Sequence, residues 1–157
     1  MEMKQFLIDT FMYNDYANKM ILTKIKELPD KKECVKFFSH IINSQIKWLE
    51  RILQNPRAQE MSWWDPLYKL NELEEKWNES LNRWIDFIRS KTEEQMFEEV
   101  EFTGYDGARW ITELKDIPLQ LNFHSIHHRA QMQRIIRQQG FEPDFIDYIG
   151  TKYRRWG

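Results

Sequence analysis

Between Leu114 and Ile135 the apolar residues keep a three-then-four spacing, and the stripe they define runs through two histidines. Leu114, Ile117, Leu121 and Ile135 mark one face of a helix. The same spacing carried across the gap lands on His124, His128 and Gln131. Such positions face other helices and are normally leucine. An imidazole there has to be hydrogen-bonded or metal-bound, because burying a polar group unpaired costs about 2–7 kcal/mol. His124 and His128 lie one turn apart on the same face, which is half of a transition-metal site. His127 falls beside the stripe and reads as a flanking or surface residue. Ser125 stands where a His-Glu-x-x-His protease would carry glutamate, so that chemistry is not expected.

The rest of the chain divides into similar segments, punctuated by its few Gly and Pro residues. The first runs from about Met3 to Leu28, with Phe6, Thr10, Tyr13, Ala17, Met20 and Ile21 at helical spacing, and Pro29-Asp30 ends it. The second runs from about Lys32 to Leu53 and closes at Asn55-Pro56. A loop with Met61, Trp63, Trp64 and Pro66 follows, long enough for a crossover between helices. Leu70, Leu73, Trp77, Leu81, Trp84 and Ile88 pattern a third helix whose other faces carry solvated charge. Val100–Thr103 and Ala108–Ile111 flank Gly104-Tyr105-Asp106-Gly107, which predicts a short β-hairpin. The fourth helix spans about Glu113 to Gln139. Pro118 belongs in a first turn, which moves the start toward Asp116, and Gly140 fits the C-cap. One more short helix is expected near Pro143 to Tyr148. The fold class is therefore all-α: one domain over residues 1–157, an antiparallel four-helix bundle with a small β-hairpin between helices 3 and 4. Such bundles build metal sites from inward side chains on facing helices.

The remaining histidine of the four, His40, lies on the second helix. Phasing on Val35, Phe38, Ile42, Ile46 and Leu49 turns it away from that stripe, toward a side shared with Phe37, Ile41, Ser44 and Trp48. Periodicity alone leaves its role as a third ligand open. The fourth helix also carries a second apolar row, Leu119, Phe123, Ile126 and Ala130, which must be covered by the hairpin or by another subunit. That favours a homodimer.

Composition excludes several classes. With 23 basic and 25 acidic residues the net charge is −2, unlike a general nucleic-acid binder. No run of about twenty apolar residues exists, so no membrane partner is expected, and the N-terminus does not read as a signal peptide. The single Cys34 has no internal disulfide partner, which points to a reducing, cytoplasmic setting. Seven Trp, ten Phe and six Tyr supply a large aromatic core. Tyr13, Asn14, Trp48, Trp63 and Trp64 are candidates to line a substrate pocket, with core packing the competing fate of the aromatics. Arg129 can fork onto a carboxylate or form a surface salt bridge. The basic residues Arg134, Arg137, Lys152, Arg154 and Arg155 read as solvated surface, with a weak anionic partner the alternative.

Three blocks resemble the DinB/YfiT-like metal-binding four-helix bundles. Tyr13-Asn14-Asp15-Tyr16-Ala17-Asn18 is similar to that family's Tyr-Asn-x-Trp-Ala-Asn block, with Tyr16 for tryptophan. His40-Ile41-Ile42-Asn43-Ser44-Gln45 followed by Trp48 resembles its second-helix histidine block. His124-Ser125-Ile126-His127-His128-Arg129-Ala130-Gln131 resembles its His-x-x-x-His-Arg-Gly-Gln block, with Ala130 replacing glycine. The resemblance implies that His40, His124 and His128 ligate one divalent transition metal, zinc or nickel foremost, with iron or manganese also compatible. It supports the homodimer. It further implies a small-molecule substrate and, as the leading activity, a low-molecular-weight-thiol S-transferase using bacillithiol or glutathione as thiol cosubstrate. Hydrolysis through metal-bound hydroxide and a non-catalytic metal-binding stress-response module are the alternatives.

Overall fold

The computed structural model describes residues 2–157. Four α-helices are present among them: α1 (Met3–Glu27), α2 (Lys32–Ile52), α3 (Leu73–Ser90) and α4 (Asp116–Gln138). A two-stranded antiparallel hairpin, β1 (Glu99–Thr103) and β2 (Arg109–Glu113), separates α3 from α4. The helix ends follow local chemistry. Leu28 is extended, as the residue before a proline must be to avoid clashing with its ring. Pro118 sits in the first turn of α4, where its missing N–H removes no helical bond. Gly140 takes φ 84° and closes α4, with the Phe141 amide reaching back to the Ile136 carbonyl. α3 begins at Leu73, while Leu70 packs against the core from the preceding turn.

α1 and α2 each pack against α3 and α4. The contacts give the directions. Phe37 stacks on His128, His40 meets His124, and Ser44 and Trp48 share a pocket with Gln120 and Leu121, so α2 and α4 run antiparallel. Thr10 meets Asn122 and Asn18 meets Ser125, so α1 and α4 run parallel. Phe38 meets Trp77 and Glu50 meets Arg83, so α2 and α3 are parallel. Phe11 meets Trp84 and Lys26 meets Glu74, so α1 and α3 are antiparallel. The bundle is antiparallel within the pairs α1/α3 and α2/α4. The parallel pair α2/α3 requires residues 53–72 to travel back along the bundle, which is the crossover that the length of this loop predicts.

One expectation is corrected, and one of two alternatives is removed. The segment 143–147 is not helical; a single 3₁₀ turn occupies Tyr148–Thr151 instead. The extended path is fixed by burial of Ile146 and by the Tyr13 hydroxyl, which donates to the Ile146 carbonyl at 2.8 Å. The hairpin does not cover the second apolar row of α4. Its Phe102 packs on Trp48 of α2, and Phe123 and Ile126 stay 59% and 44% exposed.

Trp84 joins three helices: it lies on α3, stacks on Phe11 of α1, and donates its indole N–H to the Gln45 carbonyl of α2 at 2.9 Å. It is fully buried. Trp84→Ala is expected to lower the unfolding free energy by about 3–5 kcal/mol, read by urea denaturation. A loss under about 1 kcal/mol would contradict this packing.

Candidate metal centre

His40 is buried on α2, His128 is buried on α4, and His124, one turn before it, is half-buried. Their Nε2 atoms converge: His124 Nε2 lies 3.0 Å from His40 Nε2 and 3.0 Å from His128 Nε2. One ring nitrogen from each of the three falls within 4.8 Å of the others. Two imidazole nitrogens about 2.1 Å from a common ion stand roughly 3.0–3.4 Å apart for angles from right to tetrahedral, so the spacing fits.

For His40 and His128 the far ring nitrogens explain the convergence. His40 Nδ1 lies 2.7 Å from the Trp63 carbonyl, and His128 Nδ1 lies 2.6 Å from Gln131 Oε1. An oxygen that only accepts requires the proton on Nδ1, which leaves the Nε2 lone pair facing inward. This is how protein oxygens orient metal-binding imidazoles. Gln131, on the same sequence stripe as the histidines, thus holds a ring in place, a role its spacing alone did not indicate.

The crossover loop is tied to α2 over this site. Ser39 Oγ accepts from the Tyr68 amide, Asn43 Nδ2 donates to the Pro66 carbonyl, and Lys47 Nζ donates to the Met61 carbonyl. Trp64 stacks flat on His40, with centroids 3.8 Å apart and planes 9° apart, and Phe37 stacks on His128. Beside the triad is a cavity of about 230 Å³ bounded by His40, Ser44, Trp48, Trp63, Gln120 and His124. Ser44 Oγ is buried with no hydrogen-bond partner. Its place one turn after His40 was the available signal in the sequence.

Of the other candidate residues, Trp48 and Trp63 line this cavity. Tyr13, Asn14 and Arg129 lie elsewhere, between α1 and α4. Arg129 is 2% exposed and forms no surface salt bridge. Its Nη1 shares two hydrogens among Asn14 Oδ1 at 2.5 Å, Asn18 Oδ1 at 2.9 Å and Ser125 Oγ at 2.9 Å, its Nη2 is buried without a partner, and its guanidinium lies over the Tyr13 ring. Asn14 Nδ2 in turn donates to Asn122 Oδ1 at 2.6 Å. Arg129 therefore locks two helices together and does not face the histidines.

The model of the DinB family matches residues 3–156. The chain is 23% identical over 162 residues to Protein DinB of Bacillus subtilis (strain 168), and the match covers 93% of each chain. No helix among the described residues is long and apolar enough to cross a membrane.

Burial lowers the proton affinity of all three imidazoles. His124 is pushed down to about 3, by burial first and then by His128, His40 and His127. His40 is lowered by burial, partly offset by the Trp63 carbonyl. His128 is lowered by burial, offset by Gln131, with His40 and His127 lowering it further. Neutral imidazoles are the ligand form. Below the ordinary value of 6.5 the unfolded chain binds protons that the folded site refuses. This stability is complete above about 6.5 and drains away as the pH falls toward 3. The Tm of chelator-treated protein should therefore fall as the pH drops from 7 to 4, more steeply than that of His124→Leu. Parallel profiles for the two proteins would contradict the buried, neutral triad.

Proposed function

The chain belongs to the DinB family, and from that premise we propose that it is a divalent-metal-dependent enzyme, a low-molecular-weight-thiol S-transferase, with His40, His124 and His128 as metal ligands. The observation that carries this reading is the convergence of three Nε2 atoms, with the His40 ring held from behind by Trp63 and the His128 ring by Gln131. Three neutral nitrogen ligands leave coordination positions open, the feature that separates catalytic from structural sites. When bound, a divalent ion supplies a Lewis acid that lowers the pKa of a thiol or water and neutralises developing charge.

The chain's own residues supply the rest. Trp48 and Trp63 wall the cavity and limit water, Ser44 Oγ offers a free hydrogen bond to a bound molecule, and Gln120 gives a polar edge. None of the lining residues is acidic. That favours a nucleophile needing no carboxylate base, such as a thiol already ionised at the site. In the transfer, the thiolate sulfur forms a bond to an electrophilic carbon as the leaving group departs with its electron pair, and the thiol proton passes to solvent. Cys34 is not that thiol. It is fully buried, and burial, with Asp30 and Glu33 adding, pushes it up to about 11.

Protein purified without a histidine tag is expected to hold about one divalent ion per chain by elemental analysis, and His124→Ala to hold none. With bacillithiol or glutathione and a model electrophile, the loaded protein should exceed the metal-free protein by about 100-fold or more in kcat/KM. Equal rates would remove thiol transfer, and turnover of esters or amides alone would replace it with hydrolysis.

We also propose that two copies pair through the exposed Phe123 and Ile126 of α4. Light scattering should give a dimer for the wild type and a monomer for Phe123→Asp. A monomeric wild type at tens of micromolar would remove this interface.

A further inference from the structure

Arg51 closes α2 eleven residues after His40. At 1.5 Å per residue that is about 16 Å along the axis. The arginine is 8% exposed, so it is buried to more than nine-tenths. Its guanidinium stacks against three rings, 5.0 Å from Trp48, 4.9 Å from Trp63 and 5.7 Å from Phe102. Such contacts support the charge but use none of its five N–H donors. Nε has no hydrogen-bond partner. The nearby carboxylates are engaged with other arginines, Glu50 with Arg83 and Glu101 with Arg109. No ion pair to Arg51 is formed among the described residues. A buried guanidinium without a counter-charge is costly unless something supplies one.

Arg51 borders a cavity of about 330 Å³ between the end of α2, the 3₁₀ turn at Pro56–Gln59 and the hairpin. Gln54, Asn55, Gln59, Thr103 and Arg109 also line it. Lys47 does not compensate Arg51: its ammonium donates to the Met61 carbonyl over the Trp63 ring, and the two cations repel. The one acidic side chain on the cavity wall, Glu101, is taken by Arg109. The cavity is thus polar and positively biased, with Arg51 on its wall and the Arg51 Nε buried without a partner.

We propose that Arg51 anchors an oxyanion site, in which its guanidinium receives the carboxylate or phosphate of a small molecule held between α2 and the hairpin. The planar fork matches both groups and pairs with either through two parallel bonds. The aromatic rings fix the plane of the fork, so little of its freedom remains to be lost on binding. Thr103 provides a polar edge for the rest of the molecule, and the Gln54 and Gln59 amides, which donate to the Glu101 and Gly104 carbonyls, tie the cavity wall to the hairpin.

The site does not depend on the metal, so the test removes metal binding from view. Full-length His124→Ala protein is titrated calorimetrically at neutral pH with inorganic phosphate and, separately, with malonate. Sodium chloride at matched ionic strength is the control. Saturable binding of either oxyanion at one site per chain is expected, and tighter binding by one names the source chemistry. Arg51→Gln in the same background should weaken it about tenfold or more. Arg51→Lys, which keeps the charge without the fork, should fall between. Heats equal to the chloride control, or equal affinity in Arg51→Gln, would overturn the proposal. If Arg51→Gln does not fold, amide shifts of the parent protein under phosphate decide. Shifts centred on residues 51–59 and 101–109 support the site, and shifts elsewhere overturn it.

Discussion

The rotation of α4 about its own axis governs the arrangement of this molecule. Neighbouring residues on a helix point about 100° apart, so one turn can serve two partners. Ser125 and Arg129 face α1, where they meet Asn14 and Asn18, and His124 and His128 face α2, where they meet His40. Arg129 brings a charge into the interior with no carboxylate beside it, only the neutral oxygens of two asparagines and a serine. A slip of α4 by one residue would strand that charge in a hydrophobic setting, at a cost of several kcal/mol. The same slip would turn both histidines away from α2. The clamp on one side of the helix therefore sets the geometry on the other.

The second constraint is the direction of α2. Because α2 and α3 run parallel, the chain between them has to travel back along the bundle. That passage carries Trp63 and Trp64 over the histidines. The Trp63 carbonyl faces the His40 ring nitrogen, and the Trp64 ring lies flat on His40. A tight turn between antiparallel neighbours would leave His40 without a backbone partner and open to water. The crossover thus buries, orients and shields the imidazole in a single pass.

The helices were legible because their apolar residues recur at three-to-four spacing, although α1 buries Leu7, Phe11 and Asn18 in place of the row through the exposed Phe6. The hairpin was legible because Gly104 and Gly107 bracket a turn between alternating runs. The histidine stripe on α4 was legible for the same reason, since imidazoles occupy leucine positions. His40 was not, because α2 is buried on both faces and periodicity there has no single phase. Arg129 reads in sequence as a surface cation. Only the facing asparagines on α1, more than a hundred residues away in the chain, make its burial tolerable. Arg51 escapes for a similar reason: its three rings come from α2, the crossover loop and the hairpin. The extended path after Gly140 depends on a bond from Tyr13, again a distant partner.

The distribution of charge bears on which ligand such a bundle can favour. The chain is slightly acidic as a whole, yet the carboxylates lie mainly on the outside, while Lys47, Arg51 and Arg129 are buried. Burial lowers the pKa of each of these cations, so each holds its charge at a cost. The three histidines contribute none, being neutral. An ion held by three neutral imidazoles keeps its full double charge, undiluted by carboxylate ligands. In a cavity walled by tryptophan that charge is poorly screened. The strongest way to lower the energy of such a centre is to draw an anion into it. A thiolate or a hydroxide bound there would each do this, whereas a neutral ligand would leave the charge uncompensated.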